Sequence, residues 1–403
     1  MIEKHEKQND RAWKITNVRI VSEDGVIEDG ELYVHHDTIV AVKDSSLSRN
    51  EEKETFQEVI DGGGGWLLPG FIDIHVHGGA GSQFMDATPQ ALHTIARFHS
   101  KYGTTAMLAT TVAAPLDQLE RVLDCVHQYR IKPQPFAQIA GVHLEGPFLN
   151  KKRPGAQNPL HFLAPDTAIL KRWLHDYPET LRLVTLAPEL PGATDMIRML
   201  KVAGVVSACG HTEATYEEVI NAVPCGLTHA VHTFNAMREL HHREPGTVGA
   251  VLTDDRITAE VIADGLHVHP ACIQMLYRLK KEQLILVTDA IAASGLGDGT
   301  YKLGDLDVIV KEGTARLKEN GALAGSTLTM LAAFQFAVRV AGIPIEDASR
   351  MASLNPAKVI GIDGSTGSIK PGKKADLIWL DRDLNLKQVW VAGNKRFVQS
   401  NDP

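Results

Sequence analysis

The sequence predicts an α/β fold, a (β/α)8 TIM-like barrel carrying a small β-sandwich domain built from both chain ends. Three observations predict it. Eight apolar, β-branched runs of strand length recur between residues 70 and 289, and a segment of helical periodicity follows almost every one. Residues able to do chemistry gather at the C-terminal ends of those runs, the end where such barrels place their sites. Both flanks, by contrast, show short alternating runs separated by turn signals.

In chain order, residues 14–66 hold KITNVRIVS, GELYVHHDTIVAVKD and FQEVIDGGGGWLLP, too few strands for a stable layer alone. The eight runs follow: 70–77 (GFIDIHVH), 104–111 (TTAMLATT), 139–145 (IAGVHLE), 181–187 (LRLVTLA), 205–211 (VVSACGH), 226–232 (GLTHAVH), 257–264 (ITAEVIAD) and 284–289 (LILVTD). Their starts lie about twenty to forty-five residues apart, the length that a strand, a crossover helix and two loops consume. A Gly-rich stretch over 295–324 reads as an excursion after the eighth strand, and TLTMLAAFQFAVRVAG and PIEDASRMASLN have helical spacing, with Pro344 as a helix start. From 370 the alternation returns in ADLIWLD and LKQVWVAG, so the two flanks are expected to pair. The expected domains are 1–66 with 365–403 for the β domain and 67–364 for the barrel, with the first eleven residues disordered.

Composition narrows the function classes. The 403 residues carry 41 Lys and Arg against 49 Asp and Glu, a net charge of -8, which argues against nucleic acid or an anionic membrane held by bulk charge. Any phosphate contact must be local. Four widely spaced cysteines without a CxxC pair suit reduced thiols, and the charged N-terminus lacks a signal-peptide segment, so a cytoplasmic chain is expected. No run is long and apolar enough to span a bilayer.

His75 and His77 lie two apart on an extended run, so their imidazoles share a face as a ligand pair would, although strand histidines are also ordinary core or surface residues. His143 and Glu145 repeat that spacing, and Glu145 precedes Gly146-Pro147, where the chain must turn out of the sheet. A carboxylate at a barrel mouth is costly unless bound to a cation or paired with a basic side chain. His143 reads equally well as a packed neighbour. His211 and His232 end the fifth and sixth runs; with the earlier residues they form a nitrogen and oxygen donor set suited to zinc or iron(II). His229 faces away from His232 and reads as structural, and Cys209 as a small buried thiol. For Asp289, at the eighth mouth, three roles compete: metal ligand, general base, or cap of the next helix.

The clusters resemble the amidohydrolase superfamily, in which PGFIDIHVHG, later strand-end histidines and an aspartate at the eighth strand recur. HLEGPFLN, LAPE, GHTEATYEE, HTFNAM with HHREPG, ADGLHVHP, LVTDAI, LAGSTLTM and MASLNPAKVIG narrow the resemblance to N-acetylglucosamine-6-phosphate deacetylases over almost the whole chain. That resemblance implies a divalent metal, Zn or Fe(II), held by Glu145, His211 and His232. Because some members lack the HxH pair and keep one ion, His75 and His77 imply room for a second. It further implies Asp289 as catalytic acid and base, His267 as a sugar contact, and Asn235, Ala236 and Arg243 as the phosphate site. Since that Arg comes from the neighbouring subunit, a homodimer is implied. A family histidine is replaced by Gln157, which can hydrogen-bond a hydroxyl but carries no charge. His241 and His242 beside Arg243 are either part of a local basic cluster or a solvated loop. The implied reaction is hydrolysis of the N-acetyl group of the small sugar phosphate by metal-activated water. Two alternatives stand beside it: a cyclic-amide hydrolase of the dihydroorotase or hydantoinase type, although LRLVTLAPE offers no bridging lysine on the fourth strand, and a metal-free scaffold, although every expected ligand is present.

Overall fold

The computed structural model describes residues 12–46 and 56–398. The first eleven residues, expected to be disordered, lie outside the described residues. The chain divides into two compact units, residues 1–70 with 362–403, and residues 71–361.

In the first unit the two flanks meet in one seven-stranded sheet. Its order is Asn394–Val398, Leu386–Val391, Leu377–Leu380, Glu58–Pro69, Ala12–Ser22, Gly25–His35 and Thr38–Asp44. All neighbours are antiparallel except Ala12–Ser22 on Glu58–Pro69. Trp13 and Trp390 stand three strands apart in that order, roughly 14 Å in a flat sheet. Their rings nevertheless stack with centroids 4.9 Å apart. The sheet therefore curls until its halves face each other, as in a sandwich, enclosing Ile15, Val18, Ile20, Leu32, Ile39, Leu67 and Leu377.

The second unit is an eight-stranded parallel sheet in strict chain order: Phe71–Val76, Thr104–Thr110, Gln138–Glu145, Leu181–Leu186, Val206–Cys209, Leu227–Ala230, Thr258–Ile262 and Leu284–Val287. Seven of the expected runs contain one of these strands, and the third, 139–145, is exceeded by one residue at its start. The first and second strands are buried at every position, as strands covered on both faces must be. Closure comes at the mouth, where Asp289 N donates to His75 O at 2.9 Å and His77 N to Ala290 O at 2.8 Å. That seam brings the eighth strand's exit beside the HxH pair.

Helix starts follow local chemistry. Thr88 caps Pro89–Ser100 by accepting from Ala91 N, with Pro at the first helical position. Thr215 and Glu218 form a reciprocal capping box at Tyr216–Ala222, each cap being worth about 1 kcal/mol. Pro344 stands immediately before Ile345–Ala352, at the helix start, without a side-chain capping bond. Between the eighth strand and Met330–Arg339 the excursion is a three-stranded antiparallel sheet, Gly299–Leu303, Leu306–Lys311 and Thr314–Leu317. No helix among the described residues is long and apolar enough to cross a membrane.

Candidate active site

Three of the site residues sit two positions past a strand end on strained backbone: His211 (φ 47°), His232 (φ 28°) and Asp289 (φ 51°). Non-glycine residues at positive φ persist only where their surroundings hold them. Here the hold is visible. Glu189, from the LAPE segment, accepts from Thr212 Oγ1 at 2.6 Å, Glu213 N at 2.8 Å and Asn150 Nδ2 at 2.8 Å, pinning the loop that carries His211. Asp73, in the first barrel strand, accepts from Thr288 Oγ1 and, at 3.3 Å, from the Thr288 and His75 main-chain amides. Burial pushes that carboxyl up to about 7 against these donors.

Glu145 is the hub. Its Oε1 lies 3.0 Å from His232 Nε2, 3.2 Å from His211 Nε2 and 3.3 Å from His75 Nε2, and its Oε2 lies 3.4 Å from His77 Nε2. Asp289 Oδ1 is 3.1 Å from His77 Nε2 and 3.7 Å from His75 Nε2. Donors 2.1 Å from a tetrahedral ion stand ~3.4 Å apart, close to these separations.

Tautomers decide the chemistry of the cluster. His211 Nδ1 lies 3.1 Å from Arg153 O, His232 Nδ1 3.2 Å from Asn235 O, and His75 Nδ1 2.8 Å from Glu260 Oε2. Those oxygens only accept, so each Nδ1 carries the hydrogen and each Nε2 turns its lone pair toward the Glu145 carboxylate. Such a meeting of lone pairs is repulsive unless a cation shares the centre, whether a metal ion or protons on the rings. His75 Nε2 is buried without a hydrogen-bond partner, as is His77 Nδ1. Burial alone would lower the imidazole values, yet Glu145 and Glu260 hold His75 well above its ordinary value, and Asp289 with Glu145 carries His77 up to about 9. Against its own burial, Glu145 is held well below the carboxylate range by His75, His211 and His232, and Asp289 is lowered by His77 and His75. The residues fit a divalent cation.

A cavity of about 120 Å³ opens over the cluster, lined by His77, Glu145, Gln157, His211, His232 and Asp289 together with Asn235, Ala236 and His267. Asp264 Oδ2 takes His267 Nδ1 at 2.7 Å and orients that ring. Gly155 and Gly325 complete the wall at φ +54° and +55°. A Cβ at Gly155 would stand 2.9 Å from His211 Cε1, and one at Gly325 2.8 Å from Asp289 O.

Two expected substrate contacts behave differently. Gln157 donates to Glu145 Oε2 at 2.6 Å and accepts from Ala113 N at 2.7 Å, so its amide serves the hub carboxylate instead of standing open to a hydroxyl. Arg243 is exposed, 2.7 Å from His242 Nε2, and lines a separate groove with Tyr216, Arg238 and Glu244. A single chain does not bring it to the cavity. His143 is a packed neighbour: Nδ1 meets Ile74 O at 3.1 Å, Nε2 meets Thr185 Oγ1 at 2.7 Å, and burial keeps it neutral. His229 turns to Glu260, and the buried Cys209 thiol is pushed up to about 12.

The sequence reading missed Glu260, whose carboxylate orients His75. Its signal was a lone carboxylate inside the apolar run ITAEVIAD. Leu303 and Leu323 of the excursion, which reach the cavity, had none.

The profile described as "Amidohydrolase family" matches residues 66–396. An N-acetylglucosamine-6-phosphate deacetylase from Vibrio furnissii is 40% identical over 84% of this chain and 84% of its own. An N-acetylgalactosamine-6-phosphate deacetylase from Escherichia coli O157:H7 is 39% identical over 93% of this chain and 97% of its own. Among solved structures, a mutant N-acetyl-D-glucosamine-6-phosphate deacetylase from Mycobacterium smegmatis, in complex with N-acetyl-D-glucosamine-6-phosphate, superposes with a TM-score of 0.89. It is 35% identical and covers 96% of this chain and 100% of that one. With the cation-seeking cluster at the barrel mouth, these similarities establish that the chain belongs to the amidohydrolase family of metal-dependent hydrolases, among the N-acetylglucosamine-6-phosphate deacetylases.

Proposed function

We propose that this chain hydrolyses the N-acetyl group of N-acetylglucosamine 6-phosphate, releasing glucosamine 6-phosphate and acetate. The observation that carries the reading is the convergence of three imidazoles of one tautomer on Glu145, with Asp289 beside them. Glu145, His211 and His232, whose ligand atoms meet at 3.0 and 3.2 Å, would hold one divalent ion, zinc or iron(II), and His75 and His77 beside them would make room for a second. When bound, such an ion lowers the pKa of water from ~15.7 to ~7 and polarises a carbonyl.

The chain's own groups do the rest. Asp289 is held ionised, so Oδ2, the oxygen turned from His77, accepts the proton of the attacking water and returns it to the sugar nitrogen as the C–N bond breaks. Without that proton the leaving group would be an amide anion. His267, oriented by Asp264, contacts the sugar. Gln157 keeps Glu145 aligned. The cavity wall at Asn235 and Ala236 takes the phosphate, completed by Arg243 of the partner subunit in a homodimer; its exposure and its place outside this chain's own cavity support that sharing. Four free thiols support a cytoplasmic enzyme.

The test is acetate release by the zinc- or iron-loaded protein from N-acetylglucosamine 6-phosphate, its galacto epimer, plain N-acetylglucosamine and a hydantoin. The gluco phosphate is expected to be turned over well above the plain sugar. The galacto epimer is the second reading, favoured by the Escherichia coli relative, and a higher kcat/KM on it would replace the first. Ring opening of the hydantoin without acetate release would refute both.

A further inference from the structure

We propose that Glu260 is a positioning residue of the metal centre, which selects the tautomer of His75 and pins the turn at His232. The proposal rests on the metal-dependent reading above. Glu260 lies mid-strand in Thr258–Ile262, with its side chain fully buried. Its Oε2 accepts from His75 Nδ1 at 2.8 Å and from the main-chain amide of His232 at 3.1 Å. Its Oε1 accepts from His229 Nε2 at 2.9 Å, and His229 Nδ1 meets Thr258 Oγ1. Thus one carboxylate takes three hydrogens, two of them from opposite sides of the cluster: a ring on the first barrel strand and a backbone amide after the sixth.

Each bond has a separate consequence. Because Glu260 holds the proton of His75 on Nδ1, Nε2 keeps its lone pair for the centre, 3.3 Å from Glu145 Oε1 and 3.7 Å from Asp289 Oδ1. Deprived of that acceptor, the ring is able to carry its proton on Nε2, where it blocks coordination. The bond to His232 N steadies a residue at φ 28°, a conformation that needs outside support to persist. Among the described residues no Lys or Arg pairs with Glu260, and its partners are the imidazoles and amide it organises.

Two variants separate these effects from a general packing role. In Glu260→Gln one oxygen remains and an NH2 replaces the other. If the NH2 faces His229, that ring relieves the clash by moving its own hydrogen to Nδ1 against Thr258 Oγ1; if it faces His75, the ring must protonate Nε2. Glu260→Leu removes every acceptor. Full-length protein is stripped of metal, its fold is checked by circular dichroism, and Zn2+ is titrated against a chromophoric chelator; the visible spectrum of the Co2+-loaded form reads the ligand set directly. Zn2+ affinity is expected to fall ~10- to 100-fold in Glu260→Leu, with Glu260→Gln between it and wild type and the cobalt bands altered in both. Wild-type affinity and an unchanged cobalt spectrum in both variants would overturn the proposal, and Glu260→Gln alone decides by the same criteria if Glu260→Leu does not fold. A wild-type chain that binds neither Zn2+ nor Co2+ removes the ground for the hydrolase reading as well.

Discussion

Replacing Asp289 with Asn separates proton transfer from metal binding. The substitution keeps the size of the side chain and the main-chain bond from residue 289 to His75 O at 2.9 Å, so the seam that closes the barrel survives. It removes the charge and the basic oxygen. Five other donors remain, Glu145, His75, His77, His211 and His232, so metal content is expected to stay within experimental error of wild type. A positioned general acid or base contributes ~10² to 10⁴ in rate, about 3 to 5 kcal/mol. In the proposed reaction the same carboxylate serves twice, toward water and toward the leaving nitrogen, so kcat is expected to drop by at least ~10³ with KM little changed. Steady-state acetate release and metal analysis on the same preparation provide the measurement. A kcat within ~10-fold of wild type at full metal content would show that Asp289 does not carry the proton. Metal lost together with activity would refute the separation itself and make Asp289 a ligand first.

Three further outcomes follow from particular residues. Arg243→Ala should lower kcat/KM for the phosphorylated sugar ~10- to 100-fold, the worth of a hydrogen bond to a charged group, and leave plain N-acetylglucosamine unaffected; an unchanged preference would remove Arg243 from the phosphate site. Chelation should abolish turnover and lower the melting temperature, since an ion present at ~1,000 times its Kd stabilises by about 4 kcal/mol, and a melt indifferent to chelator would contradict the cation-seeking reading of the cluster. His99, fully buried against Gly78 O, is depressed by burial from 6.5 to about 4. The folded form therefore binds fewer protons than the unfolded chain between those values. Its contribution to stability is complete above pH 6.5 and is lost as pH falls toward 4, by ~3 kcal/mol at 1.36 kcal/mol per unit. Melting curves of wild type and His99→Gln across that window should diverge, and parallel curves would contradict the assignment.

Local pattern carried much of the architecture. Strand runs such as GFIDIHVH and LILVTD, parallel and buried on both faces, are rich in aliphatic and β-branched residues and stand out from their surroundings. Caps at Thr88 and Thr215 act within four residues, so T-P-Q-A and T-Y-E-E are legible without any knowledge of the fold. Strand-end placement also marked Glu145, His211, His232 and Asp289, since a polar residue at the end of an apolar run has few structural reasons to be there. Glu260 escaped because its partners are 28, 31 and 185 residues away, and nothing in ITAEVIAD says that two imidazoles and an amide will meet it.

By itself, then, the sequence determined the order of the strands, the residue types at the barrel mouth and the class of chemistry they permit. These depend on side-chain identity and on periodicities of two and 3.6, which are local properties. Only the tertiary structure decided which nitrogen of each histidine faces Glu145, that Gln157 is committed to Glu145 and Ala113, and that Arg243 stands outside its own chain's cavity. A tautomer is chosen by whichever acceptor lies opposite the ring, and that acceptor arrives from another strand when the barrel closes.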